Sequence, residues 1–123
     1  MNKFLLFFIL FFTHFFALCQ CDGRYQDEIF TSVNTINDVN YSDVFSDNAH
    51  KMDIYMPDGD TATNRPLIIF IHGGSFYGGD KSQIDCQDFC RTFAKKGYVT
   101  ASVNYRLVSF INIASFLTNH DEQ

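Results

Sequence analysis

Leu67-Ile68-Ile69-Phe70-Ile71-His72-Gly73-Gly74-Ser75-Phe76-Tyr77-Gly78-Gly79-Asp80 is a run of five apolar residues that ends abruptly in His-Gly-Gly and a glycine-rich turn. Bulky β-branched and aromatic residues without alternation predict a strand covered on both faces, as in a parallel sheet with helices on either side. Paired glycines at its carboxyl end let the backbone turn sharply and approach a ligand closely, leaving amide N–H groups free to point at it. Open α/β sheets place their sites at such strand ends.

Working upstream, Pro66 opens the strand where its missing N–H is harmless, and Thr61-Ala62-Thr63-Asn64-Arg65 before it reads as a surface loop. Met52-Asp53-Ile54-Tyr55-Met56 alternates ahead of Pro57-Asp58-Gly59-Asp60, a strand leading into a turn. From Tyr25 to Phe45, Ile29, Val33, Ile36, Val39, Tyr41 and Val44 lie among Thr, Asn, Ser and Asp, which predicts short antiparallel strands. Asn34-Thr35-Ile36-Asn37-Asp38 and Ser46-Asp47-Asn48 are the expected turns.

Downstream, Ser82 is placed to cap a helix whose apolar Cys86, Phe89, Cys90, Phe93 and Ala94 repeat at the three-and-four spacing of one face. Lys95 and Lys96 suit its carboxyl end and Gly97 ends it. Tyr98 to Leu107 is a second strand, so strand, helix and strand form a crossover unit with its strands parallel. Val108 to Thr118 reads as a loop with a short helix, followed by the polar Asn119-His120-Asp121-Glu122-Gln123. One crossover and a few antiparallel strands leave a strand edge unpaired and a small core, the expectation for an incomplete architecture.

The 123 residues carry a net charge of −5 and amount to one small domain at most. No basic cluster occurs, so a nucleic-acid or anionic-membrane partner has no electrostatic footing. Seven of the fifteen Phe fall between Phe4 and Phe16. There Met1-Asn2-Lys3, an apolar core of about nine residues and an exit at Ala17 and Cys19 have the layout of a secretory signal peptide over residues 1–19, cleaved before Gln20. A stable membrane span would need roughly 20 apolar residues, and His14 interrupts the run. The expected location is therefore secreted or periplasmic. Cleavage leaves Cys21, Cys86 and Cys90, an odd number in a compartment that permits disulfides. Cys86 and Cys90 have no third ligand at metal spacing, so one buried thiol and one disulfide half are expected, and no metal or other cofactor.

The turn excludes two phosphate chemistries. Gly74 and Gly79 have the P-loop gap, but Asp80 stands where Lys is required and would repel a phosphate. No G-x-G-x-x-G is present for a dinucleotide. An oxyanion hole remains: backbone amides about 3 Å from an acyl oxygen that becomes negative in the transition state. Gly73, Gly74 and Ser75 supply such amides, and His72 is expected to brace the turn by hydrogen bonding rather than to act as a base.

Met52 to Pro57, Arg65 to Phe76 with Gly79-Asp80, and Gly97 to Leu107 resemble, in order and spacing, three landmarks of α/β-hydrolase carboxylesterases and lipases. The resemblance covers Cys21 to Leu107. It implies an α/β fold, the N-terminal part of an α/β-hydrolase domain over residues 20–123, with antiparallel first strands followed by the parallel crossover. It further implies ester hydrolysis through a covalent acyl-enzyme on a small-molecule ester, with Gly74 and Ser75 as donors and Gly73 holding the turn. Asp80, Asn104, Tyr105 and Arg106 would be scaffold residues stitching loops to the sheet. The chain departs from the family in lacking a G-x-S-x-G elbow with its acid and His. Ser102 and Ser109 have no glycine frame, and His120, Asp121 and Glu122 have no nucleophile to serve. The expectation is an N-terminal fragment, inactive alone, of a serine-type carboxylesterase. A secreted peptidase of the same fold, or a non-catalytic binding remnant of it, is the alternative.

Overall fold

The computed structural model describes residues 23–108, so the leader, Cys21 and residues 109–123 with His120, Asp121 and Glu122 lie outside the described part. Strands β1 (Val33–Asn40), β2 (Lys51–Pro57), β3 (Leu67–Ile71) and β4 (Val99–Val103), with helix α1 (Ile84–Lys95) between the last two, form one sheet in the order β1-β2-β4-β3. β1 and β2 are antiparallel, β2 and β4 are antiparallel, and β3 and β4 are parallel. This is the expected arrangement of an antiparallel start and a parallel crossover, the N-terminal part of an α/β-hydrolase sheet.

Cross-strand register assigns the two faces. Tyr55, Thr100 and Ile68 form one row and Asp53, Ser102 and Phe70 the next, both on the side of α1. There Tyr55, Cys90 and Ala94 make the core, with Val33, Phe70 and Phe89 packed against it. α1 buries Cys86, Cys90 and Ala94, as its spacing predicts. Two fully buried hydroxyls fasten this layer: Thr100 Oγ1 donates to the Cys90 carbonyl at 2.9 Å, and Ser102 Oγ donates to the Lys81 carbonyl at 2.8 Å.

The segment ahead of β1 closes the far end of the helix. The amides of Ile29 and Phe30 donate to the Lys95 carbonyl and that of Tyr25 to Lys96, using carbonyls that a helix end leaves without intrahelical partners. Arg24 reaches Asp60, which also holds Arg65. The paired guanidiniums, Arg24 foremost, hold the Asp60 carboxyl well below the usual carboxylate range.

Four expectations are corrected. Asn34 to Asp38 is not a turn but part of β1: Ile36 pairs with Ile54 and Val39 with Met52, so Asn37 and Asp38 both stand opposite Asp53 in a β-bulge. Asp38 takes φ 58°, which Asp tolerates better than most residues. Ser82 does not cap α1, because its hydroxyl and amide bond Asp80 while Gln83 occupies the cap position without a side-chain bond. β3 is covered on one face only among the described residues, leaving Leu67, Ile69 and Ile71 exposed opposite the helix. Cys86 and Cys90 are both free buried thiols, pushed up in pKa by burial.

Candidate active site

β3 ends at Ile71, and the chain turns at His72, the last buried residue before the glycines. The His72 ring stacks on Tyr105, with centroids 4.4 Å apart and planes 16° from parallel, while the Tyr105 hydroxyl donates to the His72 carbonyl at 3.1 Å. His72 Nδ1 lies 2.7 Å from the Gly73 carbonyl oxygen and donates to it, which places the ring proton on Nδ1.

That bond has a consequence one peptide further on. In a trans peptide the C=O and the following N–H point in opposite directions. Fixing the Gly73 carbonyl on the His72 ring therefore turns the Gly74 amide away from it. The same geometry recurs at the next unit, because the Gly74 carbonyl accepts the amides of Tyr77 and Gly78, both at 3.1 Å, and the Ser75 amide faces outward. Among the described residues the amides of Gly73, Gly74 and Ser75 donate to nothing. All three residues line a concavity of about 800 Å³ on the sheet face opposite α1, floored by Met52, Ile69, Ile71 and Val103.

The turn achieves this at a conformational cost. Gly74 has φ 127°, and Ser75 and Phe76 follow at 53° and 68°, a left-handed pair that L-residues rarely adopt in succession. A side chain at Gly74 would collide with the Gly78 carbonyl, and one at Gly79 (φ 102°) with the His72 ring and the Gly73 carbonyl. Both positions require glycine. The Phe76 carbonyl accepts the Val108 amide at 2.7 Å, tying the turn to the chain leaving β4.

The downstream end is held by a polar cluster. Asp80 accepts from Ser82, Asn104 and Asn48. Burial opposes ionisation of Asp80, but these hydrogen bonds outweigh it and bring its pKa down to about 2. Asn104, buried, also donates to the Asn48 carbonyl at 3.0 Å and accepts the Lys81 amide at 2.6 Å. The Tyr41 hydroxyl lies 2.8 Å from the Asn104 carbonyl. Arg106 stays apart, its guanidinium 5.8 Å from the centre of the Phe45 ring.

The structure thus gathers His72, Gly73, Gly74, Ser75, Asp80, Asn104 and Tyr105 around one turn and leaves Arg106 outside. Sequence reading missed Lys81, whose ammonium is buried between Asp53 at 2.7 Å and Asp38 at 3.0 Å. The available signal was Asp53 itself: a carboxylate sharing a strand face with Tyr55 needs a cation. Among the described residues no Ser or Cys bonds a His, so no nucleophile and base are paired there, and no cluster of metal-ligating side chains occurs. What this arrangement offers chemically is a set of preoriented N–H dipoles.

Residues 52–118, more than half of the chain, match the BD-FAE family model. The chain belongs to the BD-FAE family. BD-FAE is an α/β-hydrolase-type esterase domain, in line with the resemblance seen in the sequence. Esterase B from Lactobacillus rhamnosis (HN001) is 25% identical with a TM-score of 0.53, over 69% of this chain and 24% of that one. A second esterase B structure from that organism, inhibited by a tributyrin phosphonate, is 22% identical with a TM-score of 0.54 over 88% and 34%, a likeness of fold alone. A bifunctional GH43-CE protein of Bacteroides eggerthii is 29% identical with a TM-score of 0.50 over 59% and 9%. Comparison with curated proteins finds no match. This BD-FAE chain spans about a quarter to a third of the length of the esterase B structures. Among its described residues no helix is long and apolar enough to cross a membrane.

Proposed function

We propose that the protein is an exported, serine-type carboxylic ester hydrolase, and that residues 72–80 form its oxyanion hole with the Gly74 and Ser75 amides as donors. Gly73 shapes the turn and His72 fixes its first carbonyl. In this reading a serine hydroxyl supplied by the rest of the protein gives its proton to a base and attacks the ester carbonyl, a new C–O bond forms, and the carbonyl π electrons move onto oxygen. The amides meet that charge; collapse breaks the ester C–O bond and expels the alcohol, which takes that proton from the base, and water then releases the acid in the same way. The single observation that carries the proposal is the tethering of the Gly73 and Gly74 carbonyls, which aims the next two amides away from the loop and leaves them without partners among the described residues.

The test is hydrolysis of p-nitrophenyl esters against peptide substrates by the intact protein, beside the 123-residue chain alone. Ester turnover by the intact protein and none by the short chain is expected. Cleavage of peptides in preference would identify a peptidase, and inactivity on both a binding remnant. For export, N-terminal sequencing of secreted protein should begin at Gln20; an intact Met1 would contradict cleavage.

A further inference from the structure

A loop that presents backbone dipoles is only as well aimed as its two ends. The upstream end is His72, locked against Tyr105. The downstream end is Lys81, held at three atoms by four partners: its amide by Asn104, its carbonyl by Ser102, and its ammonium by both Asp53 and Asp38. Lys81 is 6% exposed and Asp53 4%. Burying an ammonium and a carboxylate is expensive, and an apolar pair of similar size usually packs at least as stably. A sheet built for stability alone has no need of this pair, nor of the bulge that breaks β1 opposite Asp53. The bulge nevertheless brings the Asp38 carboxylate to Lys81 and lets the Asp38 amide donate to Asp53 Oδ1 at 2.9 Å. β1, β2 and β4 thereby converge on one loop residue.

We propose that Lys81, clamped by Asp53 and Asp38, is a positioning residue that sets the aim of the Gly74 and Ser75 amides. It touches neither substrate nor reacting atoms; it acts through the backbone of residues 73–80. This role rests on the oxyanion-hole reading for its catalytic consequence, but the clamp is visible without it.

The test compares K81M and D38N with D60N, which breaks the buried carboxylate cluster at Arg24 and Arg65, away from the turn. Amide hydrogen exchange in the intact protein is followed at Tyr77 and Gly78, which bond the Gly74 carbonyl, and at Val108, which bonds Phe76. K81M should speed exchange at these amides about 10-fold with β2 and β4 little changed, D38N should do so less, and D60N should leave them alone. On p-nitrophenyl acetate K81M should lower kcat about 10-fold with KM nearly constant, and K81R should retain most of kcat. Unchanged exchange, acceleration spread evenly over the sheet, or full kcat in K81M would overturn the proposal. Should K81M fail to fold, D38N decides, since Asp38 is 60% exposed and its loss leaves the Asp53 pair intact. Local exchange changes in a protein that hydrolyses no ester would refute the oxyanion reading and leave the clamp standing.

Discussion

At the residue scale, the site depends on glycines that cannot carry a side chain and on a carboxylate that must stay ionised. Gly79→Ala would drive a methyl into the His72 ring and the Gly73 carbonyl at a φ of 102°. The carbonyl tether that aims the Gly74 amide would be lost, so kcat on esters should fall about 100-fold in the intact protein, with stability lower by about 2 kcal/mol. Steady-state kinetics and thermal melting measure the two together; unaltered kcat would show that the tether does not matter. Asp80 gives a pH dependence. Its pKa is depressed from 3.8 to about 2 in the folded state, so its contribution to stability is complete above pH 4 and is lost as pH falls through 2. Melting curves of Asp80→Asn should lie several degrees below the unaltered protein at pH 7 and converge with it near pH 2. Parallel curves across that range would contradict the assignment.

At the scale of elements, α1 and its two flanking strands were legible because their periods are strong. Cys86, Cys90 and Ala94 share one face by spacing, and the same three are fully buried. Ala94 is fully buried in one cluster with Tyr55 and Cys90, so Ala94→Leu should overpack it and cost about 1–3 kcal/mol in chemical denaturation. A neutral or stabilising result would mean the contact is looser than described. Less legible was the β1 bulge. Asn34 to Asp38 is polar and turn-like in composition, but pairing with β2 overrides composition and places Asp38 at Lys81, 43 positions away. Single-sequence reasoning has no rule for such long-range electrostatics. Ser82 failed as a cap for a related reason: Asp80, two residues earlier, competes for the same hydroxyl.

At the scale of the molecule, Leu67, Ile69 and Ile71 face away from α1 and are 57–65% exposed. The unbroken apolar run of β3 predicted two covered faces, and the described chain covers one. Three large aliphatic side chains in a row are rarely left in water. We expect the second face to be covered in the intact protein. There Ile69→Lys should cost about 2–4 kcal/mol, whereas Val44→Lys at a position 75% exposed should change stability by less than about 0.5 kcal/mol. Equal, small effects in denaturant titrations would mean the face stays open. The nucleophile elbow was legible only as a missing motif, and the family match over residues 52–118 agrees with the three motifs that were read.

The most direct measurement deletes one donor without touching a side chain. Incorporating the α-hydroxy analogue of serine at position 75 replaces a single backbone N–H by an ester oxygen. If the Ser75 amide holds the oxyanion, kcat on p-nitrophenyl acetate should drop about 10²–10³-fold with KM nearly unchanged, as for loss of one such donor elsewhere. A kcat within twofold of the unaltered protein would contradict the account.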